Sequence, residues 1–163
     1  MKKLWSPWRS QYIDSFHDKQ EKSGCIFCKA KDDEAGNEGS LLLKKCELSF
    51  AVLNLFPYNN GHLMVVPYRH LNNITLLTPE ENSEIMQEIQ FWTSRLEVVF
   101  NPDGFNIGAN LGKASGAGID DHIHFHIVPR WNGDTNFMPV LGEVKVISQD
   151  LLRTKARLLG VQE

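Results

Sequence analysis

Apolar and polar residues alternate along the chain from Leu48, with Leu48, Phe50 and Val52 set against Ser49, Ala51 and Leu53. A period of two is the mark of a pleated strand, and Leu41 to Asn54 reads as strand material. The cluster Phe56-Pro57-Tyr58-Asn59-Asn60-Gly61 predicts a turn that delivers His62-Leu63-Met64-Val65-Val66-Pro67, a second β-prone run. The spacing changes after Thr78. Pro79 suits a first helical position, Thr78 and Glu81 form a capping box, and Ile85, Ile89, Trp92 and Leu96 recur at helical intervals. Asn101-Pro102-Asp103-Gly104 ends that helix. Phe105 to Leu111 and His122 to Val128 read as further strands, and Leu151 to Leu159 as a short helix.

The remaining segments are punctuation. Residues 1–24 read as an irregular arm, Cys25-Ile26-Phe27-Cys28 begins a short turn, residues 31–39 form a polar loop, and Lys113 to Gly118 form a flexible loop. Strands surround one long helix without regular βαβ alternation, which favours an α+β fold with a mainly antiparallel sheet. With 163 residues and no repeat or long linker, the chain is expected to be one domain. Its expected parts are an arm at 1–24, a core at 25–147 and a C-terminal helix at 148–163.

Composition narrows the function classes. Apolar residues make up 42% and charged residues 23%, as in an ordinary globule, and the net charge is −3. A slightly acidic balance argues against a nucleic-acid partner, which needs excess Lys and Arg. No apolar window is long enough for a bilayer span, and the N-terminus lacks a signal-peptide core. The three cysteines are an odd number with two in a Cys-x-x-Cys, which is not a disulfide framework. A cytoplasmic location fits that usage.

Asp121-His122-Ile123-His124-Phe125-His126-Ile127-Val128 carries most of the chemistry. On a strand His122, His124 and His126 share one face, successive Cα atoms being about 6.6 Å apart, while Ile123, Phe125 and Ile127 face a core. Imidazole titrates near neutrality and serves as nucleophile, general acid or metal ligand. The preceding loop leaves backbone N–H groups unobstructed at Gly112, Gly116 and Gly118, and adds donors from Lys113 and Ser115. Amides and donors of that kind bind phosphate oxygens, so histidines beside them point to phosphoryl or nucleotidyl transfer through a covalent intermediate. A three-histidine metal site and a chance histidine-bearing surface strand are the competing readings. Cys25 and Cys28 offer two thiolates to a tetrahedral ion, a redox pair, or plain packing. Trp131 is a candidate for stacking on a purine, as are Trp5 and Trp8, for which packing is favoured.

The histidine run resembles the signature of the histidine triad (HIT) superfamily, His-x-His-x-His followed by two apolar residues. The likeness extends to Asn54-Leu55-Phe56-Pro57, to Gly61 through Pro67, and to His70, and covers residues 24 to 131. Leu4-Trp5-Ser6-Pro7-Trp8-Arg9 and Pro129 through Phe137 resemble the branch that holds bacterial diadenosine tetraphosphate phosphorylases and related hydrolases. The resemblance implies a five-stranded antiparallel sheet with one long and one short helix, extended across a homodimer into ten strands. It implies that His124 attacks the α-phosphorus of a nucleotide substrate, that His126 contacts phosphate and assists the leaving group, and that His122 supports the site. It further implies that Asn54 holds the ribose, that Leu53 and Phe56 wall the base, and that Asn110 contacts phosphate. Zinc-bearing members imply a structural zinc on Cys25, Cys28, His70 and His122.

One departure bears on activity. Where many hydrolase branches carry a Gln-Ser or Gln-Thr pair before the triad, this chain has Gly118-Ile119. That shifts the expectation from a phosphoramidate hydrolase toward phosphorolysis of diadenosine tetraphosphate to ADP and ATP, with inorganic phosphate as co-substrate. Hydrolysis of dinucleoside polyphosphates or adenosine phosphoramidates is the alternative enzymatic expectation, and a nucleotide-binding module without catalysis the non-enzymatic one.

Overall fold

The computed structural model describes residues 24–34, 39–115, 118–134 and 147–160. Five strands form one antiparallel sheet in the order β1-β2-β3-β5-β4: β1 Leu42–Lys45, β2 Ser49–Leu53, β3 Leu63–Pro67, β4 Gly104–Ala109 and β5 Phe125–Arg130. Helix α1 spans Ile26–Ala30, α2 Pro79–Phe100 and α3 Leu151–Leu159.

Both faces of the sheet are covered over β2 and β3, which are buried along their whole length. Alternate residues serve opposite layers. Ala51, Leu53, Leu63, Val65, Ile123 and Ile127 pack under α2, against Ile85, Ile89, Trp92 and Leu96. Phe50, Val52, Met64 and Val66 point the other way, where Phe27 of α1 and Ile119 meet them. That second layer is thinner, and the cavity described below opens in it.

The capping box forms as read: the Thr78 side chain accepts from the Glu81 amide, and the Glu81 carboxylate accepts from Thr78 N–H. Arg69 adds a two-pronged ion pair to Glu81, at 2.6 Å for each prong. Asn101 closes α2 in the left-handed region, at φ 47°. Gly61, at φ +77°, makes the tight entry to β3, where a Cβ would lie 3.0 Å from Leu96 Cδ2.

Four expectations change. The strand containing the histidines starts at Phe125, not His122, because Ile123 N–H leaves the ladder to donate to Leu71 O and only Phe125 to Ile127 pair with β3. The segment Leu41–Asn54 is two strands, since Glu84 of α2 accepts from Glu47 N, Leu48 N and Ser49 Oγ and clamps a turn there. Ile26–Ala30 is helical rather than a turn. Lys113–Ser115 is a 3-10 turn, with Ser115 Oγ donating to Gly112 O. The arm at 1–23, with Trp5, Trp8, Arg9 and His17, lies outside the described residues, as does Gly116.

Helix α3 is docked by side chains. Lys155 Nζ donates to Ser40 O, and Arg95 of α2 donates to Leu158 O. Asp150 caps it, its Oδ1 accepting from Leu152 N and Arg153 N.

Candidate active site

Although β5 begins only at Phe125, the alternation runs on into the lead-in. Ile123 and Ile127 anchor the segment in the α2-side core, and His122, His124 and His126 emerge on the opposite face, all buried. The rings of His124 and His126 are 4.7 Å apart between centroids. Phe27 lies against His124, its ring centroid 4.8 Å away.

Hydrogen-bond accounting assigns each ring its proton, since a carbonyl only accepts and a backbone amide only donates. His124 Nδ1 is 2.9 Å from His122 O, so Nδ1 carries the hydrogen and Nε2 keeps its lone pair. His122 Nε2 donates to Pro67 O at 2.9 Å, which leaves its Nδ1 bare. Tyr58 N donates to His62 Nδ1 at 3.0 Å, so His62 holds its hydrogen on Nε2 and donates to His126 Nδ1 at 2.9 Å. His126 therefore carries its own hydrogen on Nε2, a buried atom with no partner among the described residues. One backbone amide thus decides the tautomer of two histidines.

All four rings are held uncharged. Burial drives the His62 pKa down to about 2 and that of His126 to about 4, with neighbouring imidazoles adding to the effect. Burial also lowers His122 and His124, each opposed by the hydrogen bond to its carbonyl partner. An uncharged imidazole with a bare Nε2, as at His124, has the lone pair that nucleophilic attack requires, and one with Nε2–H, as at His126, has the hydrogen to donate to an oxyanion.

On the far side of His122, Cys25 Sγ and Cys28 Sγ lie 3.3 and 3.7 Å from His122 Nδ1, and His70 Nδ1 lies 3.4 Å from Cys28 Sγ. The four ligand atoms fall within 4.8 Å of one another. A tetrahedral zinc with its usual bond lengths separates sulfur from nitrogen by roughly 3.5 Å, so the donor set and spacing fit that ion. Burial raises the Cys25 thiol to about 11, a shift that a bound cation reverses.

A cavity of about 640 Å³ opens in front of His124 and His126. Leu53, Asn54, Phe56, Asn110 and Gly118, all named in the sequence reading, are among the residues that line it. Asn54 is also spent locally: its Oδ1 accepts from Phe56 N and its Nδ2 reaches His62 Nδ1 at 3.3 Å. Lys113, Ser115 and Trp131 are outside the lining of this cavity, and Trp131 Nε1 donates to Asn101 O. Two contributions escaped the sequence reading. His62 stands alone in its stretch, and nothing in the spacing announces its reach to His126. Asp150, Leu151 and Leu152, at the start of α3, close the cavity from a distant part of the chain.

The HIT domain family matches residues 36–133. An AP-4-A phosphorylase of Mycobacterium tuberculosis (strain ATCC 25618 / H37Rv) is 39% identical over 99% of this chain and 84% of its own length. A bis(5'-adenosyl)-triphosphatase of Dictyostelium discoideum is 39% identical over 52% of this chain and 56% of its own. Among solved structures, a Zn-bound histidine triad family protein from Mycobacterium smegmatis superposes with a TM-score of 0.67 at 26% identity, over 85% of this chain and 92% of that one.

Proposed function

The chain belongs to the HIT domain family and is an enzyme, and we propose that it transfers nucleotidyl groups from dinucleoside polyphosphates through a histidine-bound intermediate. The observation that carries this reading is the 2.9 Å contact of His124 Nδ1 with His122 O, which leaves Nε2 unprotonated at the edge of the large cavity.

In the first step the His124 Nε2 lone pair forms a bond to the α-phosphorus, and the bond to the bridging oxygen breaks. The leaving nucleotide takes that electron pair. His126 Nε2–H donates to the oxygen on which charge builds, and His122 O receives the Nδ1–H of the His124 ring as that ring becomes cationic. In the second step an oxygen of inorganic phosphate attacks the same phosphorus and His124 leaves with its lone pair restored. Diadenosine tetraphosphate and phosphate thus become ATP and ADP, with atoms balanced. The likeness to a phosphorylase over nearly the whole chain supports phosphate as the acceptor. Water in its place makes the enzyme a hydrolase.

In this reading Leu53 and Phe56 wall the base, Asn54 contacts the ribose, and Asn110 with the amide of Gly118 contacts phosphate. Lys113, Ser115, Gly116 and Trp131 then act at the edge of the site. Zinc held by Cys25, Cys28, His70 and His122 supplies a structural cross-link from α1 to the segment before β5. The chain works as one domain and as a homodimer joined along β4, an edge strand whose Asn106, Ile107 and Gly108 are exposed. No helix among the described residues is long and apolar enough to cross a membrane, which agrees with a cytoplasmic enzyme.

Chromatography of the products from diadenosine tetraphosphate, with inorganic phosphate present and omitted, tests the proposal. ATP and ADP formed only with phosphate are expected. Turnover at the same rate without phosphate removes the phosphorylase reading.

A further inference from the structure

A second cavity of about 430 Å³ meets the first at His126. It lies on the exposed face of β4 and β5, opposite α2, and its size is within the roughly 300–1,000 Å³ of ligand clefts. His126, Asn110 and Tyr58 border both cavities, so the reacting phosphorus has space on either side. The floor beside His126 is open because its partner across the ladder is Gly108, where a Cβ would meet nothing within 4 Å.

The polar groups of this second cavity are oriented, not loose. Arg130 is held by Asp134 through Nε at 2.6 Å and Nη2 at 2.8 Å, and its Nη1 donates to Asn106 Oδ1 at 2.5 Å. With its oxygen committed, Asn106 turns Nδ2 and two hydrogens outward. Asn59, buried, spends its Nδ2 on Pro129 O and Asp134 Oδ2, and so offers Oδ1. A further donor is His126 Nε2–H, buried and without a partner among the described residues. Asn106 stands two residues along β4 from Gly108, about 6.6 Å from the position facing His126. That is beyond reach of the phosphorus under attack and beside the phosphates that follow it. The sequence of groups is imidazole donor, amide donor and amide acceptor.

Resting on the nucleotidyl-transfer reading above, we propose that this cavity is the site of the departing half of the substrate, a nucleoside polyphosphate. Asn106 donates to its phosphate oxygens, and Asn59 Oδ1 accepts from an O–H or N–H beyond them. Arg130 and Asp134 act as positioning residues that hold the two asparagines in their working orientations. The apolar cavity in front of His124 then selects the nucleotide that is transferred, and this one selects what leaves.

The test compares two substrates that share the transferred half. Diadenosine tetraphosphate carries a long departing nucleotide. Adenosine 5'-phosphorimidazolide carries only an imidazole, too small to reach Asn106. In Asn106→Leu, with Asn106→Ser as a second variant, kcat/KM for the tetraphosphate is expected to fall about tenfold or more, the scale of a lost hydrogen bond to a charged group. Turnover of the imidazolide is expected to stay within about twofold, and that split is a readout that mere misfolding does not produce. Equal losses on both substrates, or no loss on either, overturn the proposal. If the unaltered enzyme turns over neither substrate, nucleotidyl transfer itself fails and this site falls with it. That outcome is distinct, because it appears before any substitution is made.

Discussion

His62 Nε2 donates to His126 Nδ1 across 2.9 Å, and it does so because the backbone amide of Tyr58 occupies the other nitrogen of the His62 ring. The proton on His126 Nε2 is thus determined two hydrogen bonds away, by the turn that enters β3.

Replacing His62 by leucine removes the donor and lets His126 Nδ1 take the proton instead. A fall in kcat of about 10²-fold is expected, within the range of a lost general acid or aligned donor, with KM changed much less. His62→Gln keeps an N–H near the former Nε2 and should recover at least a tenth of the wild-type rate. Steady-state kinetics on diadenosine tetraphosphate check both, and equal activity in the leucine and glutamine variants contradicts the tautomer argument.

His124→Ala should lower turnover by at least about 10³-fold, since no neighbouring side chain can form the phosphorus–nitrogen bond. Labelled substrate should also leave no acid-labile nucleotide on the denatured variant, whereas the wild-type protein should carry it.

Acid should weaken the fold before carboxylates titrate. Folded His62 and His126 resist protonation until about pH 2 and 4, whereas each ring returns to about 6.5 on unfolding. The unfolded chain therefore binds protons that the folded chain refuses. The contribution is complete above about pH 6.5 and is lost as pH falls toward 4, by up to about 1.4 kcal/mol per pH unit for each ring. The melting temperature should drop from pH 7.5 to pH 5, and the drop should be smaller in His62→Gln.

Cys28→Ser should reduce bound zinc from about one ion per chain to near none and lower the melting temperature by several degrees, because metal binding energy adds directly to folding energy. Elemental analysis of the purified protein, paired with a thermal melt, measures both effects. Unchanged zinc content removes the assignment.

Much of this was legible in the residues alone, for reasons that are local. Thr78, Pro79 and Glu81 announce the start of α2 because capping is a contact between neighbours in sequence, and Ile85, Ile89, Trp92 and Leu96 mark its buried stripe by period. The histidine face is readable because Ile123 and Ile127 alternate with it and need a core. What local pattern does not carry is any contact made at long range. Glu84, 35 residues away, divides the Leu41–Asn54 strand material into two strands by clamping Ser49. Ile123 leaves the ladder for Leu71 O, which moves the start of β5 to Phe125. The place of His62 depends on β3 pairing with β5, and the cavity wall at Leu151 depends on where α3 docks. Lys113 and Ser115 are a further case: they are donors in a glycine-rich stretch, and their 3-10 turn, which local pattern did not announce, leaves them outside the lining of both cavities.

The docking of α3 has a consequence for the order of events in synthesis. Its first residues, Leu151 and Leu152, complete a wall begun by Ile26 and Phe27 of α1. During translation His124 emerges from the ribosome with its strand partners already made, yet the cavity in front of it stays open on one flank until α3 has followed. A nascent chain at that stage presents the His124 imidazole without the enclosure that the finished fold puts around it.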